Sequence, residues 1–134
     1  MASIFTRIID GHIPCHKVAG NDKFLAFLDI NPLKEGHTLI VPRKEIDYIF
    51  DLDEETLSEM MLFARRVAIA IKEVIPCKRI GVVVIGLEVP HAHIHLIPID
   101  REGDISFSNP RAKITPERFA EIAAMIGDKV NLSD

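Results

Sequence analysis

Two hydrophobic periodicities divide this chain into predicted elements. Phe24-Leu25-Ala26-Phe27-Leu28 is a short aromatic-rich run ending at Asp29, where Asn31-Pro32 starts a turn, so it reads as a strand. His37 to Val41 reads as a second strand, closed by Pro42. Their spacing favours an antiparallel hairpin with a loop of about eight residues, longer than the usual hairpin loop. Pro14 to Val18 is a candidate short strand ahead of the turn Gly20-Asn21-Asp22. Arg79 to Ile85 is continuously apolar and bounded by Gly86, the pattern of a central strand buried on both faces. Helical spacing governs two other stretches and one short turn. Leu57, Met60, Met61, Ala64, Val67, Ala68, Ile71 and Val74 form one apolar stripe behind the acidic start Asp53-Glu54-Glu55, and Pro76 ends it. Thr115-Pro116-Glu117 opens a last helix with Phe119, Ile122, Ala123 and Ile126 on its apolar face. Phe5 to Ile9 makes a short helical turn capped by Ser3, and Arg101 to Asn109 is polar and irregular. The expected fold is α+β: an antiparallel sheet with one long central helix and a C-terminal helix, in one domain over residues 1–134.

One stretch carries chemistry on top of periodicity. Val89-Pro90-His91-Ala92-His93-Ile94-His95-Leu96-Ile97-Pro98 holds half of the chain's 6 histidines at every second position. Strict alternation is the period of a strand, so His91, His93 and His95 are expected to project from one face. Ala92, Ile94 and Leu96 then enter a core on the other. The run Arg79–Ile85 is expected to pair with this strand after a short turn.

Composition narrows the chemistry. A chain of 134 residues that is 48% hydrophobic and 27% charged has the balance of a folded globule, not a disordered tail. Its net charge of −4 and lack of a basic block argue against nucleic acid as the partner, while one local site can still hold a small phosphate ligand. Neither a signal-peptide core nor an apolar run long enough to span a bilayer is visible, so no membrane and a cytoplasmic location are expected. Cys15 and Cys77 then read as free thiols.

Three readings of the histidine row compete. The plainest is a half-exposed sheet face that happens to be imidazole-rich. A metal site is the second: neighbouring histidines on a strand can share an ion, but His91 and His95 stand about 13 Å apart along an extended strand. Nucleophilic catalysis is the third. A bare imidazole nitrogen attacks phosphorus well when the other nitrogen is tied down. His93, in the middle, is the natural attacker; His95 is placed to hydrogen-bond a phosphate oxygen and share in proton transfer, and His91 to steady the site.

His91-Ala92-His93-Ile94-His95-Leu96 resembles the signature of the histidine triad family, and the likeness runs well beyond it. Ile4-Phe5, Ile8-Ile9-Asp10-Gly11-His12-Ile13-Pro14, Phe24 to Pro32 and Gly36 to Pro42 are similar to the family's opening, nucleoside-binding and following-strand segments. The branch resembled is that of the Hint-type nucleotide-binding hydrolases. The resemblance implies a homodimer whose sheets join across the interface. It implies a hydrolase of nucleoside 5′-phosphoramidates or related nucleoside phosphate derivatives, working through a nucleotidyl-histidine intermediate. Carried over, His93 is the nucleophile, His37 keeps it oriented, His95 contacts the phosphate and His91 completes the triad. Asp29 accepts from the ribose hydroxyls of a purine nucleotide, and Phe5, Ile8, Ile13, Phe27, Leu28 and Ile30 enclose the base. Hydrolysis of dinucleoside polyphosphates is the nearest alternative activity. Purine-nucleotide binding with little turnover is an alternative of another class, and metal-dependent hydrolysis a third.

The chain departs from the family pattern in two places. Zinc-binding members carry a cysteine pair near the N-terminus and a later histidine; here Thr6 and Glu45 stand at cysteine-like and histidine-like positions, so no metal and no cofactor is expected. Many Hint-type members have a polar loop before the triad, whereas this chain has Val83-Val84-Ile85-Gly86-Leu87-Glu88-Val89-Pro90. Glu88 falls at a serine-like position, where a carboxylate repels phosphate and favours a cationic amine leaving group.

Overall fold

The computed structural model describes residues 2–130. Helix α1 (Ile4–Ile9) starts where the Ser3 hydroxyl accepts from the Thr6 amide. Five strands follow: β1 (Lys17–Gly20), β2 (Phe24–Leu28), β3 (Thr38–Pro42), β4 (Arg79–Val83) and β5 (Ile94–Ile99). They form one antiparallel sheet in the order β1-β2-β3-β5-β4. Helix α2 (Glu54–Val74) lies between β3 and β4 in sequence, with the Asp53 carboxylate capping the Thr56 amide and its C-cap at Ile75, before Pro76. Helix α3 (Pro116–Lys129) has Thr115 as its cap and Pro116 in its first turn. Single 3-10 turns occupy Ile49–Asp51 and Glu102–Ile105, the latter inside the segment expected to be irregular.

The alternation of strand side chains sorts the sheet into two faces. Phe24, Ala26, Leu28, Ile40, Ile94 and Leu96 meet the stripe of α2 (Met60, Phe63, Ala64, Val67, Ile71) and the apolar face of α3 in one core. Leu25, Phe27, Leu39 and Val41 point the other way, into a smaller cluster closed by Phe5 of α1. All five residues of β2 and of β3 are therefore buried, which is why both strands read as apolar runs instead of alternating ones.

Two expectations require correction. The apolar run at Arg79–Ile85 is not central: β4 is an edge strand, and Val82, Val84 and Ile85 are exposed. Apolar composition at an edge means a surface patch as readily as a second buried face. The connection to β5 is also no short turn, since β4 ends at Val83 and β5 begins only at Ile94. Of the three alternating histidines, His95 alone lies within the strand. The facing logic still holds, because Ala92 and Ile94 join the α2 core while the rings of His91 and His93 both pack edge-on against Phe5.

The loop from β2 to β3 is held from both ends. The Asp29 amide donates to His37 O (3.0 Å), and Arg118 of α3 donates through Nε and Nη2 to the two Glu35 oxygens at 3.1 and 3.0 Å. Gly36 adopts φ +88°, and a Cβ there would lie 2.8 Å from Ile75 Cγ1. Left-handed backbone and an overpacked neighbour act together, so Gly36→Ala is expected to cost about 2 kcal/mol or more. Denaturant unfolding measures this, and an undiminished stability would show that the loop relaxes freely.

Candidate active site

Where each imidazole proton sits follows from partners with only one possible role. Leu33 N–H donates to His37 Nδ1 (3.0 Å), so a neutral His37 carries its proton on Nε2. His37 Nε2–H then donates to His95 Nδ1 (2.9 Å), which leaves the His95 proton on Nε2. His93 Nδ1 lies 2.8 Å from His91 O, and a carbonyl only accepts; Nδ1 is therefore the protonated atom and Nε2 keeps its lone pair. His91 Nε2 likewise donates to Pro42 O (2.7 Å), and its Nδ1 accepts from the Ser3 hydroxyl (2.8 Å). The result is one imidazole with a bare nitrogen beside another with an outward N–H.

These rings share one corner of the sheet. His93 and His95 stack edge to face with centroids 4.9 Å apart, and Phe107 packs against His95 at 4.9 Å and His37 at 6.1 Å. His93 and His95 line a cavity of about 380 Å³ together with Phe5, Asp29, Asn31, Glu88, Phe107 and Arg111. Burial pushes all three working histidines down from their ordinary range. His37 falls to about 4 although Asp29 opposes the shift. His95 falls to about 3, with His93, His37 and Arg111 adding to the effect of burial. For His93 burial also comes first, and the bond to His91 O, then Asp29 and Glu88, pull the other way. All three are neutral near pH 7, the form in which a lone pair is available.

The remaining expected site residues divide. Phe5, Asp29 and Glu88 line the cavity, whereas His37 (1% exposed) and His91 (0% exposed) stand behind it. Phe27 supports Phe5 from beneath, with ring centroids 5.7 Å apart, and Ile8 packs against the same cluster. Leu28 cannot enclose a base on this side, because the alternation of β2 sends it into the α2 core. Ile30 is 74% exposed and lines no part of the cavity, and Ile13 is half-buried away from it. Phe107 and Arg111 went unseen because the segment Arg101 to Arg111 has no periodicity that would aim a side chain. Ser3 was legible as a helix cap but not as the hydrogen-bond partner of His91.

Two groupings of polar side chains invite a metal, and neither suits one. Asp29, His37 and His95 offer donor atoms within 4.8 Å of one another. A histidine bound to metal through Nε2 donates from Nδ1, yet His37 Nδ1 faces a backbone N–H, so donor would meet donor. The second grouping is Ser3, Thr6, Glu45 and His91. Glu45 accepts from Ser3 N (2.7 Å) and Thr6 Oγ1 (2.6 Å), which hold its carboxyl well below the usual range. With two neutral hydroxyls, no thiolate and a His91 lone pair already engaged, this donor set does not fit zinc. It forms instead a hydrogen-bonded clasp from α1 to His91.

An antiparallel sheet that presents a tautomer-fixed row of histidines at a closed corner defines a narrow class of site. The chain belongs to the HIT domain family, whose model matches residues 10–102. It is 30% identical over 132 residues to the adenosine 5′-monophosphoramidase hnt1 of Schizosaccharomyces pombe, covering 97% of this chain and 99% of that one. Among solved structures, a Hit-like protein of Bartonella henselae matches with TM-score 0.81 and 30% identity, covering 95% of each chain. A zinc-bound histidine triad family protein of Mycobacterium smegmatis matches with TM-score 0.80 and 27% identity, covering 97% of this chain and 94% of that one.

Burial of neutral histidines has a sign for stability. Folded-state values below the unfolded value of about 6.5 mean that the unfolded chain takes up protons first as pH falls. Stability is thus fully present above pH ~6.5 and is lost below it, through about 4 for His37 and about 3 for His95. Between pH ~6.5 and ~4.5, above most carboxylate titration, the slope is expected to approach about 1.4 kcal/mol per pH unit for each proton excluded. Denaturation midpoints across that window test it; a flat profile would mean that these histidines protonate freely in the fold.

Proposed function

We propose that this protein hydrolyses nucleoside 5′-phosphoramidates, or closely related nucleoside phosphate derivatives, through a nucleotidyl-histidine intermediate on His93. The observation that carries this reading is the bond from His93 Nδ1–H to His91 O, which leaves a neutral Nε2 lone pair on a ring lining the cavity. Nε2 attacks the α-phosphorus and forms a P–N bond. The bond to the amine breaks, and the amine departs with a proton taken from the medium. Water then attacks phosphorus, releases a proton, and frees Nε2 as the nucleotide leaves. His95 Nε2–H donates to a phosphate oxygen. A neutral His95 that surrendered this proton would be left an imidazolate, so it contributes a hydrogen bond rather than acid catalysis. His37 keeps the donor pointed, and His91 holds His93 through its carbonyl.

Asp29 takes the ribose hydroxyls of a purine nucleotide in this reading. Its Oδ1 already fixes the Asn31 amide (2.8 Å), which orients the carboxylate at the cavity wall. Phe5 supplies the apolar surface for the base. Glu88, on the His93 side, favours a leaving group that carries positive charge. The relationship to a phosphoramidase over nearly the whole chain supports this choice of substrate over dinucleoside polyphosphates.

Incubation with a tryptamine adenosine phosphoramidate and with a diadenosine polyphosphate tests the reading. Release of AMP from the phosphoramidate is expected, with kcat/KM at least about 1,000-fold lower in His93→Ala. Glu88→Ser is expected to lose selectivity for amine over uncharged leaving groups. Turnover persisting in His93→Ala removes the nucleophile, and faster cleavage of the polyphosphate reverses the substrate assignment.

The working form in this reading is a cytoplasmic homodimer. Among the described residues no helix is long and apolar enough to cross a membrane. The unpaired edge of β4 adjoins exposed Val82, Val84 and Ile85, which line one surface with Tyr48, Phe50 and Met61 of the preceding elements. A single-chain protein seldom leaves an apolar edge of this kind open. Light scattering is expected to return twice the chain mass, falling to one chain in Met61→Lys; a monomeric wild type would overturn the assignment.

A further inference from the structure

Arg111 is the one lysine or arginine among the residues lining the cavity. Its Nη1 donates to Asn31 O (3.0 Å) and its Nη2 to Phe107 O (3.3 Å), while Cζ lies 5.3 Å from the Phe107 ring centroid. Carbonyls and a ring face hold the guanidinium flat without neutralising it, and part of its donor set is left over. No carboxylate among the described residues comes within ion-pair distance of it. A pinned, unneutralised guanidinium at a ligand cavity is a site for an anion.

Its position says which anion. Arg111 donates to the carbonyl of Asn31, the residue whose amide Asp29 holds, so guanidinium and carboxylate reach the same cavity across one residue. In the reading above the ribose meets Asp29, so a guanidinium one residue away is within reach of a phosphate carried on that sugar.

We propose that Arg111 forms a second anion subsite next to Asp29, which takes a phosphate carried at the 2′ or 3′ position of the ribose of a nucleotide. This rests on Asp29 holding the ribose, as inferred above. A carboxylate alone at that place selects free hydroxyls and repels a phosphate; an arginine beside it reverses the preference, as in the choice between two nicotinamide dinucleotides that differ by a ribose phosphate. The planar fork also matches two phosphate oxygens at once. The substrate class is thereby narrowed to nucleoside 5′-phosphate derivatives with a second phosphate on the sugar.

Calorimetric titration of the full-length protein with AMP, adenosine 2′,5′-bisphosphate and adenosine 3′,5′-bisphosphate tests the subsite. One of the bisphosphates is expected to bind about ten-fold more tightly than AMP, and Arg111→Gln to bring that ratio close to one. The ratio is the informative quantity, because a merely structural arginine that clips its segment to Asn31 would weaken all three ligands alike. AMP binding with no gain from either second phosphate, or a gain unchanged in Arg111→Gln, overturns the subsite and leaves the nucleotide reading intact. Failure of all three to bind overturns both.

Discussion

The amide of Leu33 sets the tautomers of His37 and His95 together. Because it donates to His37 Nδ1, the ring can offer a proton only from Nε2, and that proton goes to His95 Nδ1. His95 is thereby left with its own proton directed away from His37. Neutral imidazoles each have one donor and one acceptor, so a single backbone bond at one end of the pair determines both tautomers. Protonating either ring puts a positive charge in a buried place, so burial lowers both values, at His37 against the pull of Asp29. The loop bearing Leu33 is in turn fixed by the left-handed turn at Gly36 and by the fork of Arg118 on Glu35. Long-range packing of α3 therefore reaches the histidines through hydrogen bonds, not through contact.

The two faces of the sheet divide the labour. The α2 face is a large apolar core, and its stability resides in side chains such as Phe63 and Ile71 that have no part in chemistry. The opposite face is thinly covered by α1 and the segment after β5, which is what leaves a cavity there. Buried polar groups on this thin side are paired: no buried side-chain nitrogen or oxygen among the described residues lacks a partner. Such pairing costs little stability and gives fixed directions to donors and lone pairs.

Most of the fold was legible because its signals are local. Asp53, Ser3 and Thr115 announce helix starts by side-chain capping, and Phe24 to Leu28 is the strand to the residue. The place of β4 was not legible, since Arg79 to Ile85 carries an apolar run that does not say whether a second layer or solvent covers it. Alternation at His91, His93 and His95 pointed to one face correctly, but a loop can keep that alternation without ladder bonds. Leu28 turns into the α2 core, and Ile30 lies past the end of β2 and stays exposed. Arg111 lay beyond reach because its aim depends on Asn31 and Phe107, which only the tertiary fold brings to it.

The clasp at Ser3, Thr6, Glu45 and His91 fixes a geometry by hydrogen bonds alone. Its task is to hold α1 against the start of the triad, so that Phe5 packs on His91 and His93 together. A metal would do this by strong bonds to few atoms. Here Glu45 gathers the Ser3 amide and the Thr6 hydroxyl, and Ser3 passes the connection to His91 Nδ1. Each link is a modest hydrogen bond, yet each also satisfies a group that the helix start or the buried ring would otherwise leave unpaired. The bond from His91 to Pro42 O completes the ring's valence and forbids the alternative tautomer. His91 is therefore the fixed point of this corner: fully buried, doubly bonded through its ring, and joined to His93 Nδ1 by its backbone carbonyl.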